Sequence, residues 1–177
     1  MRIRTSSVEA TRDAAAALAE LARPGDLLLL VGDLGTGKTA FCQGFGRGLG
    51  VDEQITSPTF ALVQSYTGRL DLNHLDVYRL TSVSEALDLG LNELLDDGGV
   101  TLIEWGDTIA GALSADFLEV HLNVDAGPEE RSIDLIAVGP AWSARVRSVQ
   151  TALSEWIDVG TDTASGTGTG TEADGSC

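Results

Sequence analysis

Gly32-Asp33-Leu34-Gly35-Thr36-Gly37-Lys38-Thr39 is a complete G-x-x-x-x-G-K-S/T pattern, and Lys38 is the only lysine among 177 residues. The other ten fixed side-chain cations are all arginines. A loop of this kind turns its backbone N–H groups inward around a phosphate, so glycines must let the main chain approach the anion. The compact ammonium on its flexible stem reaches between β- and γ-phosphates as a point charge, which a planar guanidinium does poorly. Asp33, Leu34, Gly35, Thr36 and Gly37 supply the cradle, Lys38 the charge, and Thr39 a hydroxyl for a metal ion.

Hydrolysis of a bound nucleoside triphosphate also needs a divalent cation across the β/γ oxygens and a group that places the attacking water. Glu104 directly follows the apolar run Val100-Thr-Leu-Ile103. An acid delivered at the carboxyl end of a buried strand is the usual geometry beside a phosphate loop, so Glu104 is the expected partner of Thr39 on Mg2+. Asn73-His-Leu-Asp-Val-Tyr-Arg79 places His74, Asp76 and Tyr78 on one side of an extended segment. Asp76 is its strongest candidate for organising metal or water. The alternative for this segment is a solvated strand face. Thr59, in Ser57-Pro58-Thr59-Phe60, offers a hydroxyl of the kind that mobile switch segments bring to metal or γ-phosphate.

The elements that must position these groups are legible in outline. Asp26 to Val31, after the Pro24-Gly25 turn, reads as a strand buried on both faces. Thr39 to Leu49 spaces Phe41, Phe45 and Leu49 four apart on one helix face, with Gly44, Gly46 and Gly48 as unexpected helix interiors that each cost about 1 kcal/mol against Ala. Close packing or a frayed last turn would account for them. Val8 to Leu21, opened by Ser6-Ser7, predicts a capped helix. Ala61 to Tyr66, Leu70 to Val77 and Val100 to Ile103 predict strands, as do Phe117 to Val124 and Arg131 to Val138, the last two paired through an Asp125–Glu130 turn. Ser84 to Leu89 reads as a short helix, Asn92 to Leu95 as a short turn, and Ala141 to Ile157 as a closing helix. The sum is an α/β protein with a sheet of mixed direction, a single domain over residues 1–157.

Composition excludes several function classes. With Asp+Glu 27 against Lys+Arg 11, the net charge of −16 repels a nucleic-acid backbone, so any contact with RNA must run through another protein. No apolar stretch is long enough to span a bilayer and the first residues lead into no signal-peptide core, which predicts a cytoplasmic protein without membrane contact. Cys42 and Cys177 have no metal or redox spacing. Residues 158–177, rich in Gly and Thr, lack apolar side chains to bury and predict a disordered tail.

Four segments taken together carry a resemblance. Gly-Asp-Leu-Gly-Thr-Gly-Lys-Thr, Thr-Ser-Pro-Thr-Phe, His-Leu-Asp-Val-Tyr-Arg and Leu-Ile-Glu-Trp-Gly stand in the order and spacing of the TsaE (YjeE) family, the small P-loop ATPases of bacterial tRNA threonylcarbamoyladenosine (t6A) biosynthesis. The chain resembles that family over about residues 5 to 140. The resemblance implies a P-loop NTPase-like three-layer sandwich around a mixed sheet, ATP/ADP and Mg2+ as cofactors, and TsaD- and TsaB-type proteins as partners in modifying adenosine 37 of tRNAs that read ANN codons. Transfer of the threonylcarbamoyl group belongs to TsaD in that family, and hydrolysis by the TsaE-type protein drives or resets the complex. By the same resemblance Lys38 and Thr39 are phosphate and magnesium residues, and Glu104 is the metal-binding acid where most P-loop proteins have Asp. Asp76 is similar to a second essential acid, Trp105 to a tryptophan beside the site, and Thr11 to a nucleotide-contacting threonine near the N-terminus. Thr36 stands where Ala is commoner, a change that outward placement of the side chain would accommodate.

Two other enzyme classes fit less well. A small-molecule kinase shares the loop but needs an acceptor pocket and usually an Arg-rich lid, for which Arg69 and Arg79 are too scattered. A GTPase reads guanine with a lysine-containing motif, and the one lysine is already committed. A nucleotide-gated binding module, in which the conformation selected by ATP matters more than turnover, remains the alternative from a different class. The solitary lysine yields a direct test. Lys38→Ala should abolish nucleotide-dependent function in a folded protein, and Lys38→Arg should also be impaired because charge is kept but reach is not. Wild-type hydrolysis by Lys38→Arg would refute the argument.

Overall fold

Leu27-Leu28-Leu29-Leu30 open the central strand β2 (Leu27–Val31), and all four are buried. Their alternation sends Leu28 and Leu30 into one hydrophobic core and Leu27 and Leu29 into the other, so the sheet is covered on both faces. The computed structural model describes residues 1–80, 85, 90–113 and 116–158. Seven strands among them form one mixed sheet: β1 (Arg2–Thr5), β2, β3 (Val63–Tyr66), β4 (Leu72–Asp76), β5 (Val100–Glu104), β6 (Phe117–Val124) and β7 (Arg131–Val138). The spatial order is β1-β7-β6-β2-β5-β4-β3. β2 runs parallel to both neighbours, β5 and β6, and β4 runs parallel to β5, while β7 and β3 pair antiparallel with the strands beside them. The carboxyl ends of β2, β4 and β5 therefore open on the same edge, where ligands of open α/β sheets bind.

One face carries α1 (Val8–Ala19) and α2 (Lys38–Gly48). Ser7 caps α1 by accepting from the Ala10 N–H at 3.0 Å, as the Ser-Ser opening predicts. Phe41, Phe45 and Leu49 all point into the core. The helix glycines are explained by proximity: a Cβ on Gly44 would overlap the backbone of Arg12, and one on Gly48 would lie 2.5 Å from the Ala16 carbonyl oxygen. The two helices thus touch almost backbone to backbone. The opposite face is thinner, covered among the described residues by α3 (Leu91–Asp96) and the 3₁₀ turns Gly106–Thr108 and Ala110–Ala112, with Leu91 and Ile109 filling the second core. A three-layer α/β sandwich with a mixed sheet results.

Three readings are corrected or completed. The N-terminal residues form edge strand β1, antiparallel to β7, which the charged Arg-Ile-Arg start conceals because only Ile3 and Thr5 face inward. The closing segment is not one helix from Ala141 to Ile157 but α4 (Pro140–Ser143), α5 (Val146–Ala152) and a 3₁₀ turn at Ser154–Trp156, after which Ile157 bridges to Ile3. The break falls at Arg145, whose N–H donates to the Trp142 carbonyl and whose guanidinium turns inward. There it forms a bidentate pair with the Asp26 carboxylate at 2.7 and 2.6 Å and stacks on the Trp142 ring at 3.9 Å. The short helix expected at Ser84 to Leu89 and the tail beyond Asp158 lie outside the described residues.

Both members of the Asp26–Arg145 pair are nearly inaccessible, so removing one strands a buried charge. Arg145→Ala should lower stability by about 3–5 kcal/mol in denaturant titrations. A double replacement, Asp26→Leu with Arg145→Met, should recover most of that loss.

Candidate functional site

Gly35 (φ +81°) and Gly37 (φ +103°) take left-handed conformations that L side chains rarely adopt, and they curl the segment between β2 and α2 into a loop. Lys38 is the first residue of α2, so its charge and the N-terminal end of the helix act at one point. Lys38 is 5% exposed. Its ammonium donates to the carbonyls of Gly32 at 2.6 Å and Asp33 at 2.9 Å, and lies 3.7 Å from the centre of the Trp105 ring. Burial pushes its pKa below the ordinary lysine value, while the carboxylates of Glu104 and Asp76 pull in the other direction.

Glu104 ends β5 in register with Leu30 of β2 on one side and Asp76 of β4 on the other. Parallel pairing thus sets two acids abreast beside the loop. Both are almost fully buried, which removes the solvated-strand reading of the Asn73–Arg79 segment for His74 and Asp76. Thr39 Oγ1 donates to Glu104 Oε1 at 2.8 Å, and His74 Nε2 contacts the same oxygen at 2.9 Å. The Asp76 Oδ2 atom accepts from Ser57 Oγ at 3.0 Å and Thr59 Oγ1 at 2.9 Å, while Oδ1 accepts the Tyr78 N–H at 3.1 Å. Trp105 follows Glu104 with φ +63°, a conformation costly for a non-glycine residue, and its ring, which meets the Lys38 ammonium, also packs 4.9 Å from the ring of the exposed Tyr78. A pocket of about 360 Å³ joins these groups, lined by the loop, Lys38, Thr39, Ser57, Thr59, Asp76, Glu104 and Trp105.

Leu34 sits in the same loop with its side chain 91% exposed. Thr36 does not point outward as expected. It is buried, and its Oγ1 donates to the Asp33 carbonyl at 2.9 Å, closing the loop from inside. Thr11 does not line this pocket; it is buried, with the Thr5 hydroxyl at 2.7 Å and the Ser7 carbonyl at 3.2 Å from its own hydroxyl. Sequence reasoning passed over Ser57, although it stands in the same tetrapeptide as Thr59. It also passed over Arg131, whose guanidinium grips the carbonyls of Thr36 at 2.8 Å and Gly35 at 3.2 Å from β7. No local pattern announces a contact made across 95 residues.

A family model described as threonylcarbamoyl adenosine biosynthesis protein TsaE matches residues 5–133. The chain belongs to the TsaE family. It is 44% identical over 140 residues to the tRNA threonylcarbamoyladenosine biosynthesis protein TsaE of Bacillus subtilis, covering 78% of this chain and 87% of that one. The corresponding proteins of Treponema pallidum (40% identical; 70% of this chain, 92% of the relative) and Streptomyces coelicolor (37% identical; 75% and 93%) are similar over comparable spans. Among solved structures, Bacillus subtilis YdiB superposes with a TM-score of 0.74 at 36% identity, over 85% of this chain and 94% of that one. The family match ends at residue 133, so α4 and α5 lie beyond it, and the buried ion pair joins Asp26 inside the matched span to Arg145 outside it.

The Lys38–Trp105 contact makes the site self-reporting. A phosphate-bearing ligand that draws the ammonium away from the ring should change Trp105 fluorescence. ATP titration should give a saturable signal in the parent protein and none in Trp105→Phe, in which Trp142 and Trp156 remain.

Proposed function

We propose that this TsaE-family protein is a magnesium-dependent ATPase of the tRNA t6A37 modification machinery, acting in the cytoplasm on a TsaD–TsaB-type complex. The observation that carries the reading is the 2.8 Å contact between Thr39, at the first turn behind the phosphate loop, and the buried acid Glu104. A hydroxyl beside two carboxylates, in a pocket that also holds a lysine ammonium, offers hard oxygen donors suited to Mg2+ next to a polyphosphate. The names of the relatives place them in t6A biosynthesis and point the substrate context the same way.

In this reading the loop N–H groups and the α2 N-terminus hold the β-phosphate, and Lys38 exchanges its bonds to the Gly32 and Asp33 carbonyls for phosphate oxygens. Thr39 and Glu104 would hold Mg2+, which would supply positive charge against the developing negative charge of phosphoryl transfer. Asp76 exchanges the hydroxyls of Ser57 and Thr59 for the attacking water, and the freed Thr59 hydroxyl is then available to the γ-phosphate. Trp105 forms one wall beside the phosphates and keeps Lys38 from leaving the site.

A net charge of −16 makes direct tRNA binding weak, so tRNA is reached through the protein partners. The same latch supports gating as a second role. Ser57 and Thr59 flank Pro58 and precede Phe60, which is 88% exposed, so a change at Asp76 is transmitted to an apolar surface side chain.

Steady-state hydrolysis with and without a TsaD–TsaB pair tests the proposal. The parent should be slow alone and respond to the pair. Glu104→Ala and Asp76→Ala should each lose about 100-fold in turnover, and Glu104→Ala should lose magnesium-dependent nucleotide affinity as well. In reconstituted modification, Lys38→Ala should fail on either account because it removes nucleotide binding, whereas a non-hydrolysable ATP analogue should fail to support the parent protein if hydrolysis is required and should support it if the protein is a pure gate. Tight, salt-sensitive tRNA binding by the isolated chain, with no response to the pair, would refute the proposal.

A further inference from the structure

His74 has no assigned part in the site, yet it is the most deeply buried of the polar groups around it, at 0% exposure. Its position follows from register. His74 of β4 pairs with Leu102 of β5, and Glu104 lies two residues further along the same face, so the imidazole reaches diagonally to the carboxylate. A carboxylate only accepts hydrogen bonds, so His74 Nε2–H is the donor in the 2.9 Å contact with Glu104 Oε1. Among the described residues Nδ1 has no hydrogen-bond partner, which leaves Nε2 as the ring's polar attachment there. The Cys42 thiol also lies within 4.8 Å of the pair, and burial raises its pKa well above the ordinary value.

Oε1 of Glu104 therefore accepts from two side chains of different character. Thr39 has a single hydroxyl, which the proposed metal would claim through a lone pair, whereas His74 lies below the pocket and does not line it. The terminal torsion of a glutamate is broad and poorly fixed by its own rotamers. Thr39 can keep donating its O–H to Oε1 while a lone pair meets the metal, and His74, which does not line the pocket, adds the second donor that fixes the carboxylate plane.

We propose that His74 is the positioning residue of the metal site: its Nε2–H fixes the orientation of the Glu104 carboxylate and thereby sets how strongly Mg2+ binds with nucleotide. This inference rests on the ATPase reading above, and it assigns His74 no contact with nucleotide or metal.

The test compares His74→Leu, His74→Asn and His74→Gln. The Gln amide nitrogen can reach the place of Nε2, while that of Asn falls short and Leu has no donor. ADP affinity is measured by isothermal titration with and without Mg2+, and hydrolysis is followed as a function of Mg2+ concentration. In His74→Leu and His74→Asn the magnesium-dependent gain in ADP affinity should fall about tenfold, and half-maximal hydrolysis should require about tenfold more Mg2+. Metal-free ADP affinity should stay within about twofold, and His74→Gln should approach the parent in all three measurements. If His74→Leu does not fold, the contrast between Asn and Gln decides. Equal magnesium dependence in Asn, Gln and parent proteins overturns the positioning role and leaves the ATPase reading intact. A parent protein whose ADP affinity ignores Mg2+ overturns the reading beneath it.

Discussion

Two buried carboxylates set side by side are the constraint around which this protein is built. Parallel pairing of β4 and β5 brings Asp76 and Glu104 into register, and nearly all of their surface is withdrawn from water. Like charges in such surroundings are unfavourable unless each finds donors. The structure divides the task. Glu104 is met by Thr39 and His74, Asp76 by Ser57, Thr59 and the Tyr78 amide, and the Lys38 ammonium adds a nearby positive charge. Each of these donors except His74 comes from a loop, a turn or a helix start, so the strands fix the acids and the connections answer them.

The cations that can leave their positions are few. Lys38 is held by two carbonyls and an aromatic face rather than by a carboxylate, contacts weaker than those a polyphosphate can offer in the same cradle. Arg131, by contrast, is engaged with the outside of the loop, where it ties Gly35 and Thr36 to β7. One cation is left to respond to ligand and the other keeps the loop in shape. The lysine/arginine asymmetry of the composition thus has a local counterpart in the site.

How far this was legible before the structure depended on the range of the interactions. The phosphate loop, its flanking strand and helix, and the strand-end acid Glu104 are local patterns, and the order of β2, α2 and β5 follows from them. Edge strand β1 escaped because two arginines mask a two-residue inward face, and the break at Arg145 escaped because its cause, Asp26, lies 119 residues away. Thr36 was misread for a related reason. In isolation a threonine in a turn reads as exposed, but the carbonyl of Asp33 lies within reach of its hydroxyl only once the loop has closed. The pairing of His74 with Glu104 needs the sheet register, which no single strand contains.

The absence of side chains at Gly44 and Gly48 also has a mechanical meaning. At these two positions the main chain of α2 comes directly against α1, flanked by the Arg12–Gln43 and Arg47–Glu9/Asp13 contacts. Such a joint neither slides nor compresses easily, because backbone cannot change rotamer to absorb a shift. The N-terminal strand and helix therefore act as a handle rigidly fixed to the helix whose first residue is Lys38. A bulkier residue at either glycine would have to push α1 outward before α2, and Lys38 at its start, could keep their place.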